Sequence, residues 1–129
     1  MKHKQKGSRL ERELLHMFWD AKWWCLRVAG SGSMPLPCPD LLAGKKGDSL
    51  AIECKGSKST RKYITKEQID ELKSFAKGFG AQPWIGIRFN GMPWRFLKPQ
   101  HLSKSNGKHY YIDKTETLKK SIDFKTLLQ

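Results

Sequence analysis

Cysteine, histidine, acidic residues and long apolar runs are all scarce in this chain of 129 residues. Its three cysteines, Cys25, Cys38 and Cys54, are an odd number without CxxC spacing. That argues against a disulfide framework and against a thiolate zinc site. The four histidines, His3, His16, His101 and His109, are scattered and read as surface residues, not as ligands. No apolar stretch approaches the roughly 20 residues of a spanning helix. Nor does an apolar segment follow the Lys-rich start, as it would in a secretory signal. The chain is therefore expected to be intracellular, in the cytoplasm or nucleoid, with no membrane partner.

Only 12 Asp and Glu stand against 25 Lys and Arg, giving a net charge of +13. Such an excess suits a polyanion, because each Lys or Arg placed on a phosphate releases condensed counterions. A membrane surface is the competing polyanion, but no basic amphipathic helix with a broad apolar face stands apart. Nucleic acid is the stronger reading. Hydrophobic residues make up 38% of the chain, with five Trp and six Phe adding to the area each can bury. One domain with one core is expected.

Residues 1–7 read as a basic, mobile arm ahead of a single domain at residues 8–129. From Ser8 to about Trp23 the pattern is helical, with Arg9, Arg12, Glu13, His16 and Asp20 on one side and Leu10, Leu14, Leu15 and Phe18 on the other. Glu11 falls in the middle of the apolar side. A carboxylate there is costly unless it meets a cation or a hydrogen-bond donor. Residues 24–28 read as a strand and 29–39 as a Gly, Ser and Pro loop. Strands at 40–44 and 50–55 form a hairpin around Lys45-Lys46-Gly47-Asp48, and 56–63 reads as a basic loop.

Thr65-Lys66-Glu67-Gln68 matches a capping box that opens a helix with Ile69, Leu72, Ala76 and Phe79 on one face and Gly80 as its C-terminal cap. A strand follows at 83–89, then an Asn90-Gly91 turn and a returning strand at 94–97. Beyond it lie a short strand at 109–112 and a Lys-rich, marginally helical tail. The order predicts an α/β fold, a central mixed sheet flanked by helices, with the hairpin strands near its centre.

The chemistry concentrates on Leu50-Ala51-Ile52-Glu53-Cys54-Lys55. Strand alternation puts Glu53 and Lys55 on one face and Leu50, Ile52 and Cys54 on the other. Singly, Glu53 and Lys55 read most simply as a solvated pair, and Pro39-Asp40 as a turn. With Asp40 on the partner strand and Glu11 on an apolar helix face, four charges point inward. Burying them without a metal would cost several kcal/mol per ion. Mg²⁺, with Mn²⁺ as a substitute, takes oxygen ligands and keeps several waters. Asp40 and Glu53 would hold it with the Cys54 carbonyl, and Glu11 would complete the shell or take a second ion. Lys55 would position or deprotonate the attacking water.

These residues resemble the PD-(D/E)XK nuclease motif. The wider run is similar to archaeal Holliday junction resolvases of the Hjc type: Lys6-Gly7-Ser8 before Glu11-Arg12, Arg27-Val28-Ala29-Gly30-Ser31-Gly32-Ser33, Cys38-Pro39-Asp40-Leu41-Leu42-Ala43 and Ile52-Glu53-Cys54-Lys55. Similarity continues through residues 63–68, 75–80 and Trp94-Arg95-Phe96. The resemblance implies a restriction-endonuclease-like single domain and a homodimeric, metal-dependent endonuclease that cuts four-way junction DNA with paired symmetric nicks. Within that fold, a nuclease acting on duplex or damaged DNA and a non-catalytic DNA-binding module are the rival readings.

By the same resemblance, Glu11, Asp40, Glu53 and Lys55 form the catalytic set. A loop serine matches Ser31 or Ser33, with Ser31 favoured by register and Ser33 kept as a DNA contact. Gln68 has two readings of equal weight, a helix cap and a place near the attacking water. Arg12 and Arg27 are candidate phosphate contacts. Lys4, Lys6, Lys58, Arg61 and Lys62 flank the expected site in basic segments and would bind backbone without reading bases. The aromatics Phe75, Phe79, Trp84, Trp94 and Phe96 read as core.

Overall fold

In a computed structural model of the chain, residues 2–28, 36–107 and 109–129 are described, with the side chains of residues 2–6 excepted. Helix α1 spans Lys2–Asp20. Its start lies six residues ahead of the expected Ser8, so the Lys- and Gln-rich stretch foreseen as an arm is helical backbone. Those straight-chain residues lose little rotamer freedom in a helix. Leu10, Leu14 and Phe18 are its buried stripe. The helix stops where Lys22 takes a left-handed φ of 68°, and Trp23 N–H closes on the Phe18 carbonyl at 2.9 Å.

Strand β1 (Trp24–Arg27) follows, then β2 (Leu41–Lys45) and β3 (Asp48–Ser57). The β2–β3 hairpin turns on Lys46 and Gly47, both at positive φ (48° and 92°), the geometry that matches strand twist. Next come β4 (Arg61–Thr65), α2 (Lys66–Phe79), β5 (Gln82–Phe89) and β6 (Arg95–Leu97). The chain ends with β7 (Ser103–Lys104), β8 (His109–Asp113), β9 (Ile122–Asp123) and α3 (Phe124–Leu127).

Six strands make the main sheet in the order β1-β2-β3-β5-β6-β9. All pairs are antiparallel except β3 with β5, which are parallel and joined through α2. The sheet is therefore mixed and β3 sits in its interior, as expected. Leu50 and Ile52 of β3 pack with Leu10, Leu14 and Phe18 of α1, and Cys54 lies against the same cluster. Ala51 packs with Ile69, Leu72 and Ala76 of α2. Alternation then places Glu53 and Lys55 on the α2 side of β3.

Three further features depart from the sequence reading. Residues 61–65, foreseen within a loop, form β4 of a second sheet, β4-β8-β7. Their partner β8 lies more than forty residues away, and only Ile64 supplies an inward apolar side chain, so no local pattern announced the strand. Phe79 is 58% exposed; it sits in the last turn at the rim of the stripe and stacks on Phe75 at 5.3 Å. The tail is no isolated helix. Its β9 adds to the edge of the main sheet, and Phe124 meets Phe18 edge-on at 5.0 Å. Among the described residues no helix is long and apolar enough to cross a membrane.

Candidate active site

Asp40 stands one residue ahead of β2, at the point where three strands come together. Its N–H donates to the Ile52 carbonyl at 3.0 Å and its carbonyl accepts from Val28 N–H at 2.9 Å. The carboxylate is aimed by a third backbone contact, since Cys54 N–H donates to Asp40 Oδ2 at 2.8 Å. A backbone donor thus holds this side chain against β3. Beside it, Lys55 Nζ lies 3.7 Å from Glu53 Oε2, and both side chains are mostly buried.

The awkward position of Glu11 has a physical answer. Arg27, the last residue of β1, donates Nε–H to Glu11 Oε1 at 2.7 Å. Its Nη2 donates to Ser8 Oγ at 2.8 Å. The pair ties the first half of α1 to the end of β1 next to Asp40. Arg27, foreseen as a phosphate contact, pairs its guanidinium with this mostly buried glutamate. Neighbouring Arg12 is exposed on α1.

Three carboxylates crowd the same end of the sheet. The Glu53 carboxyl is pushed up to about 8, by burial first and then by the negative Asp40, against the pull of Lys55. Burial raises Glu11 as well; the Arg27 hydrogen bond opposes that rise and Asp40 adds to it. Burial, reinforced by Asp40, Glu11 and Glu53, holds the Cys54 thiol well above its ordinary range. The thiol is therefore no nucleophile.

Among the described residues no three His, Cys, Asp or Glu side chains close into a metal cage. Glu11, expected to complete the shell or take a second ion, is hydrogen-bonded to Arg27. The donor chemistry nonetheless fits a hard divalent cation. Asp40 and Glu53 bring two carboxyl groups to one spot, and two carboxylates with waters suffice for such an ion. A groove of about 500 Å³ opens beside Lys55, walled by Lys58 and Lys62 over Leu10 and Gly56. Three lysines thus line one groove.

The remaining candidates are distributed as follows. Ser31 and Ser33 lie outside the described residues. Lys4 and Lys6 belong to the first turns of α1. Gln68 completes the capping box: its N–H donates to Thr65 Oγ1 and its Oε1 accepts from Thr65 N–H, both at 3.1 Å. Its side chain is thereby committed to the helix end. Arg61 lies over the ring of Tyr111, 4.1 Å from its centroid.

A sequence profile of the family described as archaeal Holliday junction resolvase (Hjc) matches residues 2–129. The chain belongs to this family. It is 45% identical over 114 residues to the crossover junction endodeoxyribonuclease Hjc of Methanocaldococcus jannaschii, covering 88% of this chain and 80% of that one. To the enzyme of the same name from Archaeoglobus fulgidus it is 40% identical over 112 residues, covering 87% and 82%. The solved structure of Archaeoglobus fulgidus Hjc, titled as a Holliday junction resolvase from an archaeal hyperthermophile, superposes with a TM-score of 0.88 at 34% identity. That match covers 95% of this chain and all of the other. The restriction-endonuclease-like fold anticipated from the motif is therefore the fold of this Hjc-family chain.

Within the family frame, sequence reasoning missed two things. One is the Glu11–Arg27–Ser8 link, for which the only signal was a carboxylate on an apolar helix face. The other is Glu13, which accepts from Trp94 Nε1 at 2.8 Å and pairs with Arg88 at 3.3 Å. Glu13 looked solvated because its partners lie on the distant β5–β6 hairpin.

Proposed function

We propose that this protein is a divalent-metal-dependent endonuclease that resolves four-way DNA junctions by hydrolysing a phosphodiester in each of two strands. The observation that carries the reading is the meeting of Asp40, Glu53 and Lys55 at one end of a mixed sheet, in a chain of the Hjc family. Asp40, Glu53 and the Cys54 carbonyl would hold Mg²⁺, or Mn²⁺ in its place. The cation supplies positive charge against the phosphate oxygens as negative charge builds on them.

The protein's own groups perform the rest. Lys55 faces the groove beside Glu53, so its ammonium can orient a water for in-line attack and balance charge on the phosphorane. Glu11, fixed by Arg27, keeps a second negative charge behind Asp40 and orders the approach from α1. Lys58 and Lys62 bind backbone, and no base-reading helix is present among the described residues. Recognition by shape and phosphate follows. A net charge of +13 gives it a steep salt dependence.

Paired nicks need two sites, which a homodimer supplies. Phe79, stacked on Phe75, is one exposed aromatic surface such a contact would bury. An intracellular location, beside chromosomal DNA, fits this activity. The test is to incubate the protein with Mg²⁺ and either a four-way junction or a linear duplex of equal length. Symmetric nicks confined to the junction are expected, and Glu53→Gln should bind the junction without cutting it. Duplex cutting would favour a general nuclease, binding without cleavage a silent module. Normal cleavage by Glu53→Gln would sink the site assignment.

A further inference from the structure

The second sheet, β4-β8-β7, has two unlike faces. Ile64 and Ile112 turn into the α2-side core, at 1% and 0% exposure. The opposite face carries Tyr63 directly across from Tyr111, with ring centroids 5.9 Å apart. Arg61 belongs to this face too. Its guanidinium carbon lies 4.1 Å from the Tyr111 centroid and 5.9 Å from that of Tyr63, and Nη1 donates to the Tyr63 hydroxyl at 3.2 Å. Two rings and a planar cation are thus assembled where they bury little: Arg61 is exposed and Tyr63 is 52% exposed.

The place of this face in the fold matters as much as its composition. The β3–β4 turn links it to the candidate active site. Ser57, on the same side of β3 as Glu53 and Lys55, hydrogen-bonds the Arg61 carbonyl at 3.3 Å, and Ser59 does so at 2.7 Å. Ser57 stands only about 7 Å along the strand from Lys55 at ordinary strand rise. Lys62, which walls the groove beside Lys55, stands between Arg61 and Tyr63 on β4 and shares the Ile64 face by strand alternation, so the aromatic face is the reverse side of the strand that edges the groove.

We propose that Arg61, Tyr63 and Tyr111 form a stacking platform for the base-pair face that DNA exposes where helices meet at a branch point. This rests on the junction-resolving reading and deepens it. A continuous duplex hides every base face in its stack. An opened four-way junction presents the terminal pair of each arm edge and face outward, so a π-surface beside the cutting site discriminates by shape without reading sequence. Aromatic rings and guanidinium planes serve any base equally, since every base has a π-face. Asp113, opposite Arg61 on the same sheet, does not neutralise the platform's cation by direct pairing; it accepts from Thr115 N–H at 3.1 Å and Thr117 N–H at 3.0 Å.

The experiment uses the full chain in EDTA, with junctions carrying 2-aminopurine at the branch point and a duplex of equal length and charge. Wild type should change the probe's fluorescence on binding and prefer junction over duplex. Tyr63→Leu should lose the fluorescence response and about tenfold of that preference, and Tyr63→Phe should keep both, because the ring does the stacking. A Tyr63→Leu protein that matches wild type in both readouts overturns the platform while leaving the resolvase reading intact. Wild type without junction preference overturns both. As a check that needs no variant, 5-bromouracil at the branch point should photo-crosslink wild type within residues 61–65 or 109–113. Crosslinks confined to other segments overturn the proposal.

Discussion

Arg27 donates its Nε–H to Glu11 at 2.7 Å across 16 residues of sequence, tying helix α1 to the end of strand β1. This contact makes an otherwise costly glutamate tolerable, and it has a measurable signature. Arg27→Met strands a mostly buried carboxylate and should lower stability by about 1–3 kcal/mol, at the low end because both side chains keep some exposure. Adding Glu11→Gln removes the stranded charge and should restore a good part of the melting temperature. Junction cleavage should stay low in the double variant, since the carboxylate is gone. Additive losses in a double-mutant cycle would show that the pair is not coupled.

Gln68 offers a cleaner decision between helix capping and catalysis. Its side chain accepts from Thr65 N–H, closing a reciprocal cap at the start of α2. Gln68→Ala should therefore cost about 0.5–1 kcal/mol in stability and leave the cleavage rate within a few-fold of wild type. Gln68→Glu should retain most of the stability. A loss of cleavage with unchanged melting would move Gln68 from the helix end to the reacting water.

Much of this architecture was legible because it is local. The capping box at Thr65, the Gly80 cap, the Lys46-Gly47 hairpin and the alternation of Leu50, Ile52 and Cys54 each depend on residues a few positions apart. The placement of Glu53 and Lys55 on one face followed from strand period alone. What stayed hidden was non-local. Strand β4 forms only because β8 lies beside it, and β9 only because β6 offers an edge. Arg27 carried a signal of charge but none of direction, so its pairing with Glu11 was not foreseen. Phe79 lies at the edge of the helical stripe by angle, in the last turn of α2, and stays exposed.

Gly56 marks a tight contact between strand and helix. A Cβ built there would run into Leu10 Cδ1, and Leu10 immediately precedes Glu11. The obstacle is the tip of a flexible side chain, so Gly56→Ala should be absorbed by a turn of Leu10 at a cost of about 1 kcal/mol in stability. Cleavage should stay within a few-fold of wild type, because the α1 backbone that carries Glu11 keeps its place. A loss of cleavage with an unchanged melting temperature would show that this contact sets the position of the α1 turn at the site.

Proton binding at Glu53 gives the site a pH dependence whose direction is fixed by its environment. Burial and the nearby Asp40 push this carboxyl up to about 8, whereas an unfolded chain releases the same proton at about 4.3. Between those values the folded protein holds a proton that the unfolded one has lost, so stability falls as pH rises through the window. In EDTA the melting temperature of wild type should therefore decline from about pH 5 to about pH 9 relative to Glu53→Gln, which cannot ionise there. The two curves should differ little below the unfolded pKa and most above about 8. Mg²⁺ should reverse the trend, stabilising wild type more at high pH than at low, because the cation replaces the proton as the partner of the Asp40–Glu53 pair. Parallel curves in EDTA, or a Mg²⁺ effect equally large in Glu53→Gln, would show that this carboxylate neither stores the charge nor holds the ion.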